Sequence, residues 1–220
     1  MSTILLSNSD ITNMETRKRA AFMNSLSGFK SASLIGTIDN KNNTNLAIFS
    51  SVIHLGSNPA LVGFINRPDT VDRHTFENIL QTNCFTINHI NKSIYKQAHQ
   101  TSARYPKDIS EFTATGLTPQ FQNNFKAPFV QECHIKYGLE FIEKHDLKIN
   151  GTILVIGKVV EVILPESCLL SDGAIDIEMA ETIAISGLDS YHTTNKIARL
   201  SYAKTDKMPI ELNDQFNCNY

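Results

Sequence analysis

The feature that most constrains this chain is the succession of elements between residues 45 and 90. Two apolar, strand-like runs at 45–53 and 60–66 flank the turn-rich Gly56-Ser57-Asn58-Pro59. A polar hinge follows, Arg67-Pro68-Asp69 and then Asp72-Arg73-His74-Thr75. It leads into a short helical pattern in which Phe76, Ile79 and Leu80 form the buried face and Asn78 or Gln81 points elsewhere. The stretch closes on a third strand-like run at 84–90. Two strands, a basic hinge and a helix entry in this order make a cradle suited to a phosphorylated ligand.

The hinge carries the physical argument. A helix starting near Asp72 or Thr75 leaves its first N–H groups without intrahelical partners, and its dipole favours an anion there. Arg67, Arg73 and His74 add donors, two of them permanently charged and able to grip phosphate oxygens as a fork. Hydroxyls at Ser50, Ser51 and Thr75 complete the candidate shell. Taken alone, the residues also fit a plainer reading, in which Asp72 or Thr75 only caps the helix and both arginines are solvated.

The order of the words tips that balance. N-L-A-I-F-S-S, S-N-P-A-L-V-G-F, R-P-D-T with R-H-T-F-E-N-I, and C-F-T-I-N-H-I together resemble the flavin reductase-like family of FMN-binding split barrels. A serine-acidic-Phe word at Ser110-Glu111-Phe112, followed by Gly116-Leu117-Thr118, extends the resemblance, and so does the segment 187–204. In all it covers about residues 24–204.

The resemblance implies a mainly β single domain with flanking helices, a split β-barrel of Greek-key-like connectivity. It implies FMN between the first two strands and the hinge, with its phosphate on Arg67, Arg73, His74 and Thr75, and Ser50 and Ser51 near the ribityl chain or ring. Residues 102–105, with Ser102 and Ala103, either fold back over the flavin or pack Tyr105 and leave Arg104 solvated. Asn88 and His89 either meet the cofactor or cap the sheet edge. Tyr191, His192, Arg199 and Tyr202 either line the ring or belong to an ordinary terminal element with Ile197 and Leu200 packed inward. NADH or NADPH is the implied electron donor, free flavin or another small molecule the acceptor, and a homodimer the assembly. A flavoredoxin-like electron carrier without nicotinamide turnover is the alternative.

Composition narrows the rest. With 220 residues, 41% of them hydrophobic, the chain suffices for one sizeable core, and a net charge of −2 gives no field for nucleic acid. Cys84, Cys133, Cys168 and Cys218 lie far apart and form no C-x-x-C pair, so they read as reduced thiols without a zinc site. The first residues lack a basic lead-in and a signal-peptide core, and the most apolar later run, 152–164, is interrupted by Lys158 and Glu161. The expectation is a cytoplasmic protein without a membrane segment.

The remaining chain divides as follows. Residues 1–13 read as a loose tail, 14–204 as the domain and 205–220 as a tail without pattern. A helix is expected over 14–26 with Gly28 as its stop, and a strand over 31–38 preceded by Lys30, an isolated lysine that reads as solvent-facing. His54 reads as a loop residue. Ser93 is the expected N-cap of a second helix ending before Pro106, and Gly116 the stop of a short one. Residues 119–128 read as irregular, 131–143 and 152–164 as long strands joined by an Asn150-Gly151 turn, and 175–184 as helical. No nucleophile elbow, paired carboxylates or Gly-rich cofactor loop is present, which suits a protein whose bound flavin does the redox chemistry.

Overall fold

The computed structural model of the protein describes residues 1–68, 74–122 and 124–212. Asp69, Thr70, Val71, Asp72 and Arg73 of the hinge lie outside them, as does Cys218. Two helices open the chain, α1 (Asn8–Thr12) and α2 (Thr16–Leu26). The first forms inside the expected tail because Ser7 and Asp10 close a reciprocal capping box.

Next come β1 (Lys30–Ser31), β2 (Ser33–Ile38), β3 (Thr44–Phe49), β4 (Ile53–Ser57) and β5 (Ala60–Asn66). After the hinge, α3 (His74–Thr82) leads into β6 (Cys84–His89), α4 (Tyr95–Gln100) and α5 (Glu111–Thr115). A small hairpin, β7 (Pro119–Gln122) and β8 (Phe125–Val130), precedes the long one, β9 (Lys136–Leu147) and β10 (Thr152–Ile163). Short strands finish the chain: β11 (Ala184–Ser186), β12 (Ser190–His192), β13 (Arg199–Leu200) and β14 (Glu211–Leu212).

Seven strands form one sheet in the order β3-β2-β6-β9-β10-β5-β4, antiparallel throughout. Its two edge strands, β3 and β4, are consecutive in the chain, joined only by Ser50, Ser51 and Val52. The sheet therefore curls until its edges meet at that link, which is a split barrel. The expected single strand at 45–53 is in fact these two edges. The Ser51 hydroxyl stitches the seam by accepting from the Ile65 N–H at 3.1 Å and donating to the Ile65 carbonyl at 3.2 Å.

The barrel is filled by Ile35, Phe64, Phe85, Ile87, Leu139 and Val155, with Phe76 and Ile79 of α3 closing one end. Glycine is required where the backbone approaches its neighbours. A Cβ at Gly36 would sit 2.3 Å from the Pro128 carbonyl oxygen, and one at Gly157 2.6 Å from the Phe85 ring. A second core lies on the outer face of β2, where Leu34, Leu46, Ile90, Phe112 and Val130 meet. Every residue of β2 is consequently buried, as a strand covered on both faces must be.

Other expectations need correction. On α3 Asn78 is buried, its amide donating to Thr37 Oγ1 at 3.2 Å, while Leu80 is exposed. Ser93 is no N-cap, because its hydroxyl bonds Asn91 Oδ1, and α4 starts at Tyr95 and stops at Gln100. Residues 119–128 are not irregular but fall in the β7–β8 hairpin. The long strand starts at Lys136, since Cys133 N–H turns back onto the Val130 carbonyl. Residues 175–184 hold turns and the start of β11, which pairs with β1, instead of a helix. His54 lies in β4, on the sheet edge.

Candidate functional site

The seam gathers part of the candidate site. Ser50 and Ser51 lie in the link itself, half-buried, and Ser31 Oγ donates to the Val52 carbonyl at 3.3 Å. Arg67 follows β5 two residues after Ile65, the seam partner of Ser51, and its side chain is exposed. Lys30 is not solvent-facing as its isolation in sequence suggested. It is half-buried and donates to the carbonyls of Asn24 (3.1 Å) and Gly187 (2.9 Å), tying α2 and the β11–β12 turn to the barrel. Burial, and then the nearby Arg67 guanidinium, hold the Lys30 ammonium below its ordinary pKa. Among the described residues neither cation has a carboxylate within salt-bridge reach.

The helix entry forms a second group. His74, half-buried, opens α3 and lies near Glu111, whose carboxylate accepts from the Leu46 N–H at 2.9 Å. Burial raises the Glu111 pKa, opposed by that hydrogen bond and by His74. The Thr75 hydroxyl accepts from Asn45 Nδ2 at 3.0 Å in a buried network that includes Thr37, so its side chain serves the core. Asn45 lies near the start of β3 and Ser50 follows its end, about 17 Å along an extended strand. The sequence thus drew together residues that the fold distributes along one strand. Arg73 lies between the two groups in sequence but outside the described residues.

Five other candidates have different surroundings. Asn88 is fully buried, with its amide donating to the Leu34 carbonyl and Thr86 Oγ1 and its oxygen accepting from Val130 N–H. Ser102 and Ala103 lie exposed just beyond α4. Tyr191 bonds His99 Nδ1 through its hydroxyl at 2.9 Å and packs on Tyr95. Arg199 is paired with Asp172, and the carboxyl of Asp172 is held below the usual range by that partner. Ile197 and Leu200, expected inside, are exposed.

Sequence reasoning missed a cleft of about 290 Å³ beside the seam. Its lining includes Phe29, Lys30, Ser33, His89 and the stretch Thr182 to Ala184. Ser33 and His89 are directly paired across β2 and β6. No local signal marks this cleft, because its walls come from segments about 150 residues apart in sequence.

Unmatched positive charge beside a hydroxyl-bearing seam suits an anionic cofactor such as FMN. Among the described residues no cluster of three or more His, Cys, Asp or Glu could hold a metal ion, and no helix is long and apolar enough to cross a membrane.

Comparison with known proteins identifies the family. The model of the flavin reductase like domain matches residues 27–174, more than half of the chain, and the chain belongs to that family. It is thereby, in kind, a flavin-binding oxidoreductase. A crystal structure of a candidate flavin reductase with split barrel domain from Shewanella frigidimarina NCIMB 400 is 58% identical, with a TM-score of 0.89 over 91% of this chain and 100% of its own. Nitrilotriacetate monooxygenase component B from Bacillus cereus (18% identity, TM-score 0.78, 91% of this chain and 100% of its own) shares the fold. Flavoredoxin of Desulfovibrio vulgaris (Miyazaki F) does too, at 22% identity and TM-score 0.68 over 81% of this chain and 91% of its own.

Proposed function

We propose that this chain binds FMN at the barrel seam and acts as a flavin reductase, taking electrons from NADH or NADPH and passing them to free flavin or another small acceptor. The observation that carries the reading is Arg67, two residues past Ile65 (the seam partner of Ser51) and near Lys30, with no carboxylate partner for either cation among the described residues. FMN, when bound, supplies the hydride chemistry, and the protein's work is to hold and orient it. Arg67, Arg73 and His74 hold the phosphate in this reading, with the N–H groups at the start of α3. Ser50 and the backbone of Ser51 lie on the side of the ribityl chain, because the Ser51 hydroxyl is already engaged. Thr75 contributes only its backbone for the same reason.

Two copies pair in this proposal. Ile53 and Leu55 on the edge strand β4, and Val160 and Val162 on β10, remain exposed, and in this proposal a second chain covers them. The cytoplasm is the proposed compartment, in keeping with free thiols at Cys84, Cys133 and Cys168.

The cradle is tested by titrating FMN into Arg67→Ala and into the double variant Arg73→Ala/His74→Ala, following flavin fluorescence. Each lost charge-assisted bond to phosphate costs about 1.5–3 kcal/mol, so affinity is expected to fall at least about tenfold in both. Affinity equal to that of the unaltered protein in both variants would remove these side chains from the site.

A further inference from the structure

The tip of the long hairpin brings together the groups of a covalent reaction. Asn150-Gly151 is the one Asn-Gly pair in the sequence, and it ends the exposed turn 148–151 between β9 and β10. Gly151 has a left-handed φ of 71°, and without a side chain it leaves its amide nitrogen open to the side-chain carbon of Asn150. The Asn150 amide oxygen accepts two hydrogen bonds, from the Thr152 N–H at 3.1 Å and from the Thr152 hydroxyl at 2.8 Å. Two donors on one carbonyl oxygen sit where negative charge grows when a nucleophile adds to its carbon. Two other pairs of the same kind lack this combination. Asn24-Ser25 lies within α2, where Asn24 Nδ2 donates to the Ala20 carbonyl at 2.8 Å and the helix fixes the Ser25 backbone. Asp172-Gly173 has the glycine, but its carboxylate is paired with Arg199 and accepts from the Ala174 N–H at 3.0 Å. An ionised carboxylate held this way resists addition.

We propose that Asn150 is a site of spontaneous deamidation and isoaspartate formation, assisted by the N–H and hydroxyl of Thr152. The Gly151 nitrogen gives its proton to hydroxide and bonds to Asn150 Cγ. The bond from Cγ to the side-chain nitrogen breaks, and that nitrogen takes up a proton and leaves as ammonia, which closes a five-membered succinimide. Water then opens the ring at one of its two carbonyls. Opening at Cγ gives aspartate, and opening at the main-chain carbonyl gives isoaspartate, with the chain rerouted through the side chain. One water enters, one ammonia leaves, and nothing is oxidised or reduced. The turn packs on the residue after Arg67, since a Cβ on Gly151 would lie 3.5 Å from the Pro68 Cβ. The new carboxylate therefore arises beside the hinge. Being exposed, the isoaspartate form is open to an enzyme that methylates isoaspartyl carboxyl groups.

Timed incubation of the full-length folded chain at pH 6 and pH 8.5 tests this, followed by peptide mapping with mass spectrometry. Isoaspartate is read separately, by methyl transfer from S-adenosylmethionine with an isoaspartyl methyltransferase. The expected result is that Asn150 converts before any other asparagine, faster at pH 8.5, with the mass rise of an NH exchanged for an O. The peptide that carries it should become the main methyl acceptor. Thr152→Val keeps the β-branched shape at the start of β10 but removes the hydroxyl bond, and it should slow conversion severalfold. Asn150→Gln should abolish methyl acceptance by that peptide, because its longer side chain does not close a five-membered ring. Asn150 intact after another asparagine has converted, equal rates at the two pH values, or a Thr152→Val chain converting as fast as the parent would each overturn the proposal. No FMN is present in the incubation, so a failure here is distinct from a failure of the flavin reading.

Discussion

At position 89 a half-buried histidine stands at the end of β6 with its ring edge-on to Tyr137, and desolvation lowers its pKa from 6.5 to about 4. The unfolded chain takes up a proton near pH 6.5 that the folded chain refuses until about pH 4. Stability is therefore complete above about pH 6.5 and falls as pH drops through that window, by up to about 3 kcal/mol. Urea denaturation of the protein and of His89→Gln at pH 7 and pH 4.5 checks this. The variant should lose less stability between the two pH values than the parent, and equal losses would contradict the assignment. Asn88 next to it shows why residue identity alone misleads. As a polar residue at a strand end it read as a cofactor contact or an edge cap, yet its three hydrogen bonds are all spent joining β2, β6 and β8. Its neighbour in sequence faces the cleft while it faces the second core, which the alternation of a strand dictates once the sheet is closed.

At the scale of elements, local pattern was enough where a strand or helix is stabilised by its own sequence. The β5 strand lies where the apolar run at 60–66 placed it, and Gly116 ends α5 with a left-handed φ of 74°. It failed where long-range pairing decides. Residues 45–53 read as one strand-like run, and only closure of the barrel divides it into β3 and β4. Residues 184–186 become a strand because β1, some 150 positions earlier, offers a partner. The division at the seam predicts a local weakness. Ser51→Ala deletes both side-chain links to Ile65 and should cost about 1 kcal/mol. Native-state hydrogen exchange should then show faster exchange at Ile65 than in the parent, with the interior amide of Leu139 unchanged. No change at Ile65 would mean that the seam is held by other contacts.

For the whole molecule, the sequence led to the split barrel through the order of its words, because order along the chain is what the sheet connectivity preserves. It did not disclose the cleft or the role of Lys30, since both arise from packing between the N-terminal and C-terminal thirds. The exposed apolar residues on β4 and β10 predict a dimer. Light scattering on the purified chain should give about twice the 24.6 kDa monomer mass, and a monomer across the micromolar range would refute the pairing. The central claim is that the seam holds a flavin reducible by a nicotinamide. Its most direct test is an anaerobic absorbance titration of the FMN-loaded protein with NADH and, separately, with NADPH. Prompt bleaching of the flavin band by at least one of them is the predicted result. A yellow protein inert to both would contradict the reductase reading and leave an electron carrier, and a protein that stays colourless after incubation with FMN would contradict the flavin site itself.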